Sequence, residues 1–290
     1  MEPRPFLKWA GGKQLLAKVI TAYFPPLETV KTYYEPFLGG GAVFFTYNPP
    51  RAILNDANRW LMDTWRAIRD DWKRVASILD TMPNTKAFYL KTREKDPWKM
   101  DLYERAATLI YLNKTCFRGL FRVNREGKFN VPYGAYNRRY YDPRNLDAVS
   151  RRLRQAQVEF RSTDFELAVA DITPKDFVYF DPPYYPIGGF SDFKRYTPEQ
   201  FREHDHARLA AFCAELHERG IRWAVSNSNT SFVRALYKPF HIYEIQARRE
   251  INLNSRNRDI TELLITNVAP EEQQRWIHRT VEPLPLAWND

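Results

Sequence analysis

Cysteine and long apolar runs are nearly absent from this chain of 290 residues, and each absence excludes a class of protein. The two cysteines, Cys116 and Cys213, cannot form the disulfide framework of a small secreted domain, so a reducing compartment is expected. No apolar run is long enough to span a bilayer, and no charged-then-apolar leader precedes Lys8. The sequence therefore predicts a protein that is neither exported nor membrane-bound and that works in the cytoplasm.

A dense set of metal ligands is also missing. The one concentrated group, His204, Asp205 and His206, falls at the polar start of a predicted helix, where a solvated helix face is the simpler interpretation. A phosphate-binding NTPase loop is missing as well, because Gln14 follows the Gly11–Lys13 stretch where a hydroxyl residue would bind magnesium. We expect no metal and no NTPase activity.

Negative charge is in the minority, and the positive excess is concentrated in one segment. The chain has 44 Lys and Arg against 35 Asp and Glu, a formal net charge of +9 and an isoelectric point near 9.4. Between Lys114 and Arg144, eight positive and two negative side chains give a net +6. The aromatic residues interleaved with them are Phe117, Phe121, Phe129, Tyr133, Tyr136, Tyr140 and Tyr141. Cations neutralise phosphates and flat rings stack on bases, so the segment favours nucleic-acid binding over a solvated face.

Predicted strands alternate with predicted helices along most of the chain. The strands are expected at 33–35, 52–56, 158–160, 177–180, 223–226, 242–245 and 263–265. The helices are expected at 13–24, 59–79, 102–112 and 198–219, with a turn-rich hairpin at 119–132. This order predicts an α/β fold with one sheet and a mostly helical insertion. The sheet domain is expected to comprise 1–56 and 157–270, the insertion 57–156, and a polar tail 271–290 that Trp276 and Trp288 hold in place.

The most informative motif is Asp181-Pro182-Pro183-Tyr184, directly after the predicted strand 177–180. Ligands of open α/β sheets bind where strands end, so the motif lies at the expected site. It offers a carboxylate, outward carbonyl groups on a rigid turn, and an aromatic face. These groups together can hold an exocyclic amine on a planar base. Taken alone, the motif is equally compatible with a proline turn that carries an acidic cap.

A second motif, the glycine run 39–41, follows the strand 33–35 and precedes a short helix. Glycine there permits close approach of the backbone to a ligand. Asp56 ends the next strand, 17 residues after Gly39, where an acid reaches ribose hydroxyls in doubly wound folds. Asp56 could also cap the helix that begins near Arg59, and one residue could serve both purposes.

Seven segments, in this order, resemble the Dam-type, α-group DNA adenine-N6 methyltransferases, and the resemblance covers about residues 5–267. The segments are PFLKWAGGK (5–13), YEPFLGGGAVF (34–44), ILNDAN (53–58), YLNKTCFRGLFRVNREGKFNVPYGAY (111–136), VYFDPPY (178–184), VSNSNT (225–230) and DITELLITN (259–267). The resemblance implies a Rossmann-like methyltransferase sheet, a DNA target-recognition insertion with a β-hairpin, S-adenosylmethionine as methyl donor and double-stranded DNA as substrate.

The resemblance also implies residue roles. The expected catalytic residues are Asp181, Pro182 and Tyr184, and Tyr184 is expected to stack on a flipped adenine. The expected cofactor-binding residues are Trp9, Lys13, Glu35, Phe37, Gly39, Asp56 and Asp181. The expected DNA-binding residues are Lys114, Phe117, Arg118, Arg122, Pro132 and Arg138, and residues 248–258 are expected to add phosphate contacts. Phe117 would wedge into the base stack, and Arg122 would read a guanine edge.

Arg118 departs from the family pattern, which has asparagine at this position beside the wedge residue. A larger cation there could add a phosphate or guanine contact, or change the sequence that is read. GATC, the usual target of the family, is the expected target. We expect a monomer, or a weak dimer on DNA, acting at the bacterial nucleoid or in the host cytoplasm if a phage encodes it.

Other functions remain open on the residues alone. Cytosine-N4 transfer needs the same amine geometry, and Asp181 favours adenine only through the resemblance. Transfer to protein glutamine is disfavoured by Asp181 and by the basic insertion. Cytosine-C5 transfer is disfavoured because no proline precedes Cys116 or Cys213. The alternative from another class is a catalytically inactive DNA-binding protein.

Overall fold

The computed structural model describes residues 1–124, 126–136, 139–187, 201–248 and 259–280. Its strands are β1 (Tyr33–Glu35), β2 (Ala52–Asn55), β3 (Glu159–Arg161), β4 (Phe177–Phe180), β5 (Arg222–Ser228), β6 (His241–Arg248) and β7 (Asp259–Thr266). They form one mixed sheet in the order β3-β2-β1-β4-β5-β7-β6. The first five strands of that order are parallel, and β7 pairs antiparallel with both β5 and β6. The predicted α/β sheet is therefore confirmed.

The described helices are α1 (Ala17–Thr21), α2 (Ala42–Tyr47), α3 (Arg59–Asp80), α4 (Lys86–Arg93), α5 (Leu102–Thr115), α6 (Pro143–Gln155), α7 (Phe165–Ala168), α8 (Glu203–Glu218), α9 (Ser231–Leu236) and α10 (Pro270–Thr280). Helices α3 and α5 match their predicted ranges closely. The helix predicted over 13–24 shortens to α1. Helices α4 and α6 were not predicted. Helix α6 is rich in arginine, and its buried residues are Asn145, Leu146, Ala148, Val149, Ser150 and Leu153.

Alternating side chains along the central strands cover both faces of the sheet. Tyr33 and Phe177 belong to one buried cluster, whereas Tyr34 and Val178 belong to the other. Successive residues of a strand point to opposite faces, so short runs of large apolar residues fill both cores at once. This burial fixes the strands in register and so fixes where each strand ends.

The segment predicted as a turn-rich hairpin forms two isolated bridges, Cys116 with Tyr133 and Val123 with Phe129, and no strand within its described residues. Backbone N–H groups of Asn124 and Asn130 donate to the carbonyl groups of Lys128 and Arg122, at 2.9 and 3.1 Å. The chain doubles back on itself here without regular pairing.

The residues predicted as a polar tail begin with helix α10 rather than with irregular chain. Trp276 is buried, and Gln273 is buried with its side chain between Tyr23 and Tyr243. Residues 281–290, including Trp288, lie outside the described residues. No described helix combines the length and apolar character needed to cross a bilayer.

A cavity of about 440 Å³ lies beside the amino ends of β2 and β3 and is lined by Arg51, Arg66 and Arg69. The guanidinium groups of Arg66 and Arg69 donate to the carbonyl oxygens of Phe160 and Val158, at 3.1 and 3.2 Å. These bonds cover polar groups of an edge strand that would otherwise be free to pair. The arginines therefore have a structural role at the edge opposite the strand ends described next.

Candidate active site and DNA-facing segment

The carboxyl ends of the parallel strands bring the predicted site residues to one edge of the sheet. Glu35 ends β1, Asp56 follows β2, and Asp181 follows β4. Because β1 lies between β2 and β4, the three acids line adjacent strand ends. The sequence prediction of a shared site at this edge agrees with the topology.

The side chain of Lys13 contacts both Asp181 and Tyr184. The ammonium nitrogen of Lys13 lies 2.9 Å from Asp181 Oδ1 and 4.5 Å from the centroid of the Tyr184 ring. It also donates to the carbonyl oxygen of Gly11 at 2.6 Å. The lysine is 5% exposed, so it is a buried charge that is paired with a carboxylate and an aromatic face.

Hydrogen bonds from β5 hold the backbone of the motif loop in place. The N–H of Tyr185 donates to Asn227 Oδ1 at 3.1 Å, and Ser228 Oγ donates to the Tyr185 carbonyl at 2.6 Å. Pro182, within the loop, is buried. The side chain of Tyr184 is held as well, because its hydroxyl donates to Glu262 Oε2 at 2.8 Å. The loop is thus anchored at its backbone and at its ring.

Burial raises the pKa of the acids at this edge. It raises the pKa of Asp181 to about 6, although the Lys13 ammonium opposes the shift. It raises the pKa of Asp56 to about 6, against two backbone N–H donors, and it raises the pKa of Glu35 well above its usual range, against the Tyr33 hydroxyl. Burial and the nearby acids Asp181 and Glu262 likewise keep the pKa of Tyr184 high, so its phenol remains a donor.

Two tryptophans pack against the glycine run and explain its composition. A Cβ atom on Gly39, where φ is +48°, would lie 2.7 Å from Trp9 Cδ1, and one on Gly41 would lie 2.9 Å from Trp65 Cη2. Trp9 also contacts the basic segment, because its ring stacks on the ring of Phe121 with centroids 5.0 Å apart. Glycine is therefore required at 39 and 41 because a side chain at either position would collide with the ring of Trp9 or Trp65.

Asp56 does not cap helix α3, contrary to the alternative that the sequence allowed. The cap is Asn58, whose side chain accepts from Leu61 N at 3.0 Å. The two oxygens of Asp56 accept instead from the N–H groups of Gly39 and Asn58, at 3.1 and 2.9 Å. Asp56 thereby ties the glycine run to the end of β2.

The other predicted cofactor residues lie around the same strand ends. Glu35 is 2% exposed and accepts from the Tyr33 hydroxyl at 2.8 Å. Phe37 is partly buried, and its ring contacts the rings of Phe165 and Phe201 at centroid distances of 5.7 Å. Trp9 and Lys13 approach from the N-terminal segment. The structure therefore brings together the predicted residues that belong to the sheet edge.

Phe117 and Arg118 project from the basic segment. Phe117 is 45% exposed, a large exposed fraction for an apolar ring. Arg118 adopts the left-handed conformation with φ of +59°, and its N–H donates to the Tyr136 hydroxyl at 2.8 Å. Asparagine tolerates this conformation better than most residues, so the arginine occupies an unfavourable backbone position. Its guanidinium lies 5.1 Å from the Phe117 ring centroid.

The remaining predicted DNA contacts are placed differently. Arg122 is partly buried, and its guanidinium donates to the side chain and backbone oxygens of Asn130 at 2.8 and 3.3 Å. Lys114 lies in the last turn of α5, and the exposed Pro132 accepts from the N–H of Phe117 at 2.8 Å. Arg138 and residues 249–258 lie outside the described residues.

Only one of the seven rings in the basic segment is exposed, which corrects the expectation from composition that the rings as a group face bases. Phe121 and Phe129 are buried, and Tyr133, Tyr136, Tyr140 and Tyr141 are partly buried. The hydroxyl of Tyr140 donates to the carbonyl of Leu79, at the end of α3. Of the seven rings, only Phe117 is exposed. Composition alone does not distinguish rings that bind a ligand from rings that fasten a segment with little regular structure.

His206 is not on a solvated helix face, so that part of the sequence interpretation is wrong. It is 2% exposed, and its ring contacts Tyr185, Phe201 and Phe232. Its Nδ1 lies 3.3 Å from Asn227 Nδ2. Across the ranges that the structure describes, no group of three or more His, Cys, Asp or Glu side chains could hold a metal ion.

Two polar residues at this site were missed by the sequence reasoning. Asn113 is fully buried, accepts from Lys8 N at 2.9 Å, and donates to the carbonyls of Lys8 and Gly119 at 2.8 and 3.2 Å. Glu262 accepts from Tyr184. Asn113 directly follows the apolar run 109–112, and Glu262 directly precedes the apolar run 263–265. A polar residue at the end of such a run is the sequence signal that could have drawn attention to each.

The mixed sheet of seven strands is consistent with a methyltransferase fold. A family model of the D12 class N6 adenine-specific DNA methyltransferases matches residues 9–251. The Type II methyltransferase M.MjaIII of Methanocaldococcus jannaschii is 40% identical over 290 residues, covering 92% of this chain and 100% of its own.

Two further relatives agree. The Type II methyltransferase M1.LlaDCHI of Lactococcus lactis subsp. cremoris is 39% identical, covering 91% of this chain and 95% of its own. The DNA adenine methylase of Escherichia coli K12 is 32% identical, covering 92% and 96%. The chain belongs to the D12 class of N6 adenine-specific DNA methyltransferases. It is an enzyme, and its reaction is methylation of adenine N6 in DNA.

Proposed function

We propose that the enzyme captures an adenine rotated out of the DNA duplex between Asp181, Pro182 and Tyr184, and methylates it with S-adenosylmethionine. The observation that carries this proposal is the position of the Lys13 ammonium. A group with N–H donors already lies 2.9 Å from the Asp181 carboxylate and 4.5 Å from the Tyr184 ring centroid. An amino group on a planar base can satisfy the same two partners, with the base stacked on the ring.

Asp181 and Pro182 address the weak nucleophilicity of adenine N6, whose lone pair is delocalised into the ring. The carboxylate of Asp181 and the carbonyl of Pro182 accept the two N6 hydrogens and favour a pyramidal nitrogen. Asp181 also stabilises the positive charge that develops on the nitrogen. Tyr184 replaces stacking lost by the everted base, which is worth about 1–3 kcal/mol. Alignment is therefore the main contribution of the protein.

The acids at the strand ends fit the methyl donor. Asp181 Oδ1 is buried with only the Lys13 ion pair among the described residues, which leaves acceptor capacity beside a cationic ligand. Asp56 stands where a carboxylate can bind ribose hydroxyls, with Glu35, Phe37 and Gly39 lining the neighbouring strand end, and Trp9 and Lys13 approach from the other side. When bound, S-adenosylmethionine supplies an electrophilic methyl group on a sulfonium.

The proposed catalytic and DNA-recognition functions belong to different parts of the chain. Residues 1–56 and 157–270 form the catalytic domain, and 57–156 form the recognition domain, in which 114–136 faces DNA. Phe117 wedges into the base stack that the adenine leaves. Lys114, Arg118 and Pro132 contact the backbone of the DNA, and Arg122 reads a guanine. The target is GATC, and one copy of the chain acts on each site.

Methyl transfer to matched oligonucleotide duplexes tests this function. Purified protein is incubated with labelled S-adenosylmethionine and a duplex that contains GATC, and the digested nucleosides are separated. We expect label in N6-methyladenine, and none with a control duplex in which GATC is changed to GTTC. Equal labelling of duplexes without GATC would overturn the proposed target, and failure of S-adenosylmethionine to donate would overturn the cofactor.

A further inference from the structure

We propose that Glu262 is a positioning residue that holds Tyr184 in place to receive the target base. This inference rests on the proposed function of Tyr184. The two residues are 78 positions apart, and the 2.8 Å hydrogen bond from the Tyr184 hydroxyl to Glu262 Oε2 joins them. Tyr184 lies in the loop after β4, whereas Glu262 lies within β7.

The topology explains how a residue of β7 reaches the active edge. Strand β7 runs antiparallel to β5, and Glu262 is in register with Ser228, the last residue of β5. The beginning of β7 therefore lies at the carboxyl ends of the parallel strands. Ser228 itself donates to the carbonyl of Tyr185, so the register places Glu262 beside the motif loop.

Glu262 is an unusual residue for its strand. It precedes Leu263, Leu264 and Ile265, all fully buried, and glutamate is depleted in strands. Among the described residues, Glu262 makes no ion pair and its side chain bonds only to Tyr184. A partly buried carboxylate that has no cationic partner among the described residues is costly, and its hydrogen bond there goes to the residue expected to hold the base.

The geometry defines what this hydrogen bond can restrain. A tyrosine hydroxyl lies on the axis about which its ring rotates, so the bond does not stop rotation of the ring plane. It stops the whole side chain from swinging about the Cα–Cβ bond. The backbone of the next residue is held by Asn227, so Glu262 supplies the second fixed point. The ring then stays beside Asp181 when the base arrives.

The test is a double-mutant cycle with Glu262→Ala, Tyr184→Phe and the combined variant, in the full chain. Base capture is measured as the ratio of Kd values for a duplex with an abasic target position and the same duplex with adenine. General damage to the fold changes both Kd values and leaves the ratio unmoved. Single-turnover methyl transfer is measured on the adenine duplex.

We expect Glu262→Ala to lower the capture ratio by about tenfold, the size of one lost hydrogen bond. Tyr184→Phe removes the donor of the same bond, so the combined variant should be no worse than the more impaired single variant. Glu262→Gln keeps an acceptor oxygen and should restore most of the ratio. Glu244→Ala is the matched control, because Glu244 is an exposed glutamate on β6 that pairs with Arg234.

Additive losses in the cycle, or an unchanged capture ratio in Glu262→Ala, would overturn the role of Glu262. A Glu262→Gln variant as impaired as Glu262→Ala would also overturn it. Tyr184→Ala separates this inference from the proposed function. If Tyr184→Ala retains the full capture ratio, the role of Tyr184 is wrong; if it loses capture while the cycle is additive, only the role of Glu262 fails.

Discussion

At the carboxyl edge of the sheet and in the basic segment 114–144, the side chains with predicted functions are held in place in different ways. At the edge, Glu35, Asp56 and Asp181 each stand at the end of a buried strand, and the core on both faces fixes their positions. In the basic segment, described strands are missing, and bonds from side chains to distant backbone hold the chain, such as Tyr140 to Leu79.

Under the proposed function, this difference has a functional meaning. Chemistry needs groups fixed to within a fraction of an ångström, and strand ends provide that precision. Recognition surfaces must differ between relatives that read different sequences, and an irregular segment on a few buried anchors can change without disturbing the sheet. Asn113 and the Trp9–Phe121 stack connect the two regions.

Asp181→Ala tests the proposed catalytic role of the carboxyl edge. Loss of the carboxylate should reduce the single-turnover rate by at least about 100-fold, the range found when one stabilising group is removed. Affinity for DNA should change little, because the contacts of the basic segment remain. Rapid-quench methyl transfer and fluorescence anisotropy measure the two quantities. A rate near that of the wild type would remove the role assigned to Asp181.

Asn113→Ala should break the connection between the regions. The fully buried amide makes three hydrogen bonds to Lys8 and Gly119, so its loss should lower the free energy of unfolding by about 1–3 kcal/mol. DNA affinity should also fall, because Gly119 adjoins Arg118. Asn145→Ala is the control, since Asn145 is a buried amide that bonds only the backbone of Arg4 among the described residues. Equal loss of DNA affinity in both variants would argue against the connection.

Arg122→Ala tests the proposed role of the basic segment in sequence recognition. We expect a cost of about 1–3 kcal/mol at one base pair and relaxed choice there, measured by competition among duplexes with single substitutions. Asn130→Ala removes the side-chain partner of the Arg122 guanidinium. This variant should reduce discrimination at the same base pair by a smaller amount. A uniform loss across all duplexes would instead identify Arg122 as a phosphate contact.

The pH dependence should report on the sheet edge. The pKa of Asp181 is raised to about 6, so the carboxylate becomes protonated as pH falls through that value. We therefore expect kcat/KM to decline below about pH 6. Because the Lys13 ammonium lowers the pKa of Asp181, Lys13→Met should move this decline to higher pH. A shift toward lower pH would contradict the ion pair as the cause.

Arg118→Asn should give the smallest effect. The slope of log Kd against log salt concentration should fall by about one if the guanidinium meets a phosphate. The preferred sequence should stay the same. Arg144→Asn, at an exposed arginine that pairs with Asp142, is the control and should leave the slope nearly unchanged. A change of preferred sequence in Arg118→Asn would make Arg118 a base contact.

The sequence predicted the structure of the carboxyl edge better than that of the basic segment, for a physical reason. A short apolar run followed by an acid, as at Asp56 or Asp181, identifies both a buried strand and its carboxyl end. No such rule shows which rings of the basic segment face inward, so Phe121 and Phe129 were wrongly grouped with Phe117. The contact of Glu262 with Tyr184 depends on the antiparallel register of β7, which only the folded chain reveals.

The central claim is best tested by the distance from adenine N6 to the Asp181 carboxylate in a crystal structure of the enzyme with duplex DNA and S-adenosylhomocysteine. We predict an everted adenine whose N6 lies about 3 Å from an Asp181 oxygen, with its ring over Tyr184. An adenine that remains stacked in the duplex, or that enters the site with N6 directed away from Asp181, would contradict the account.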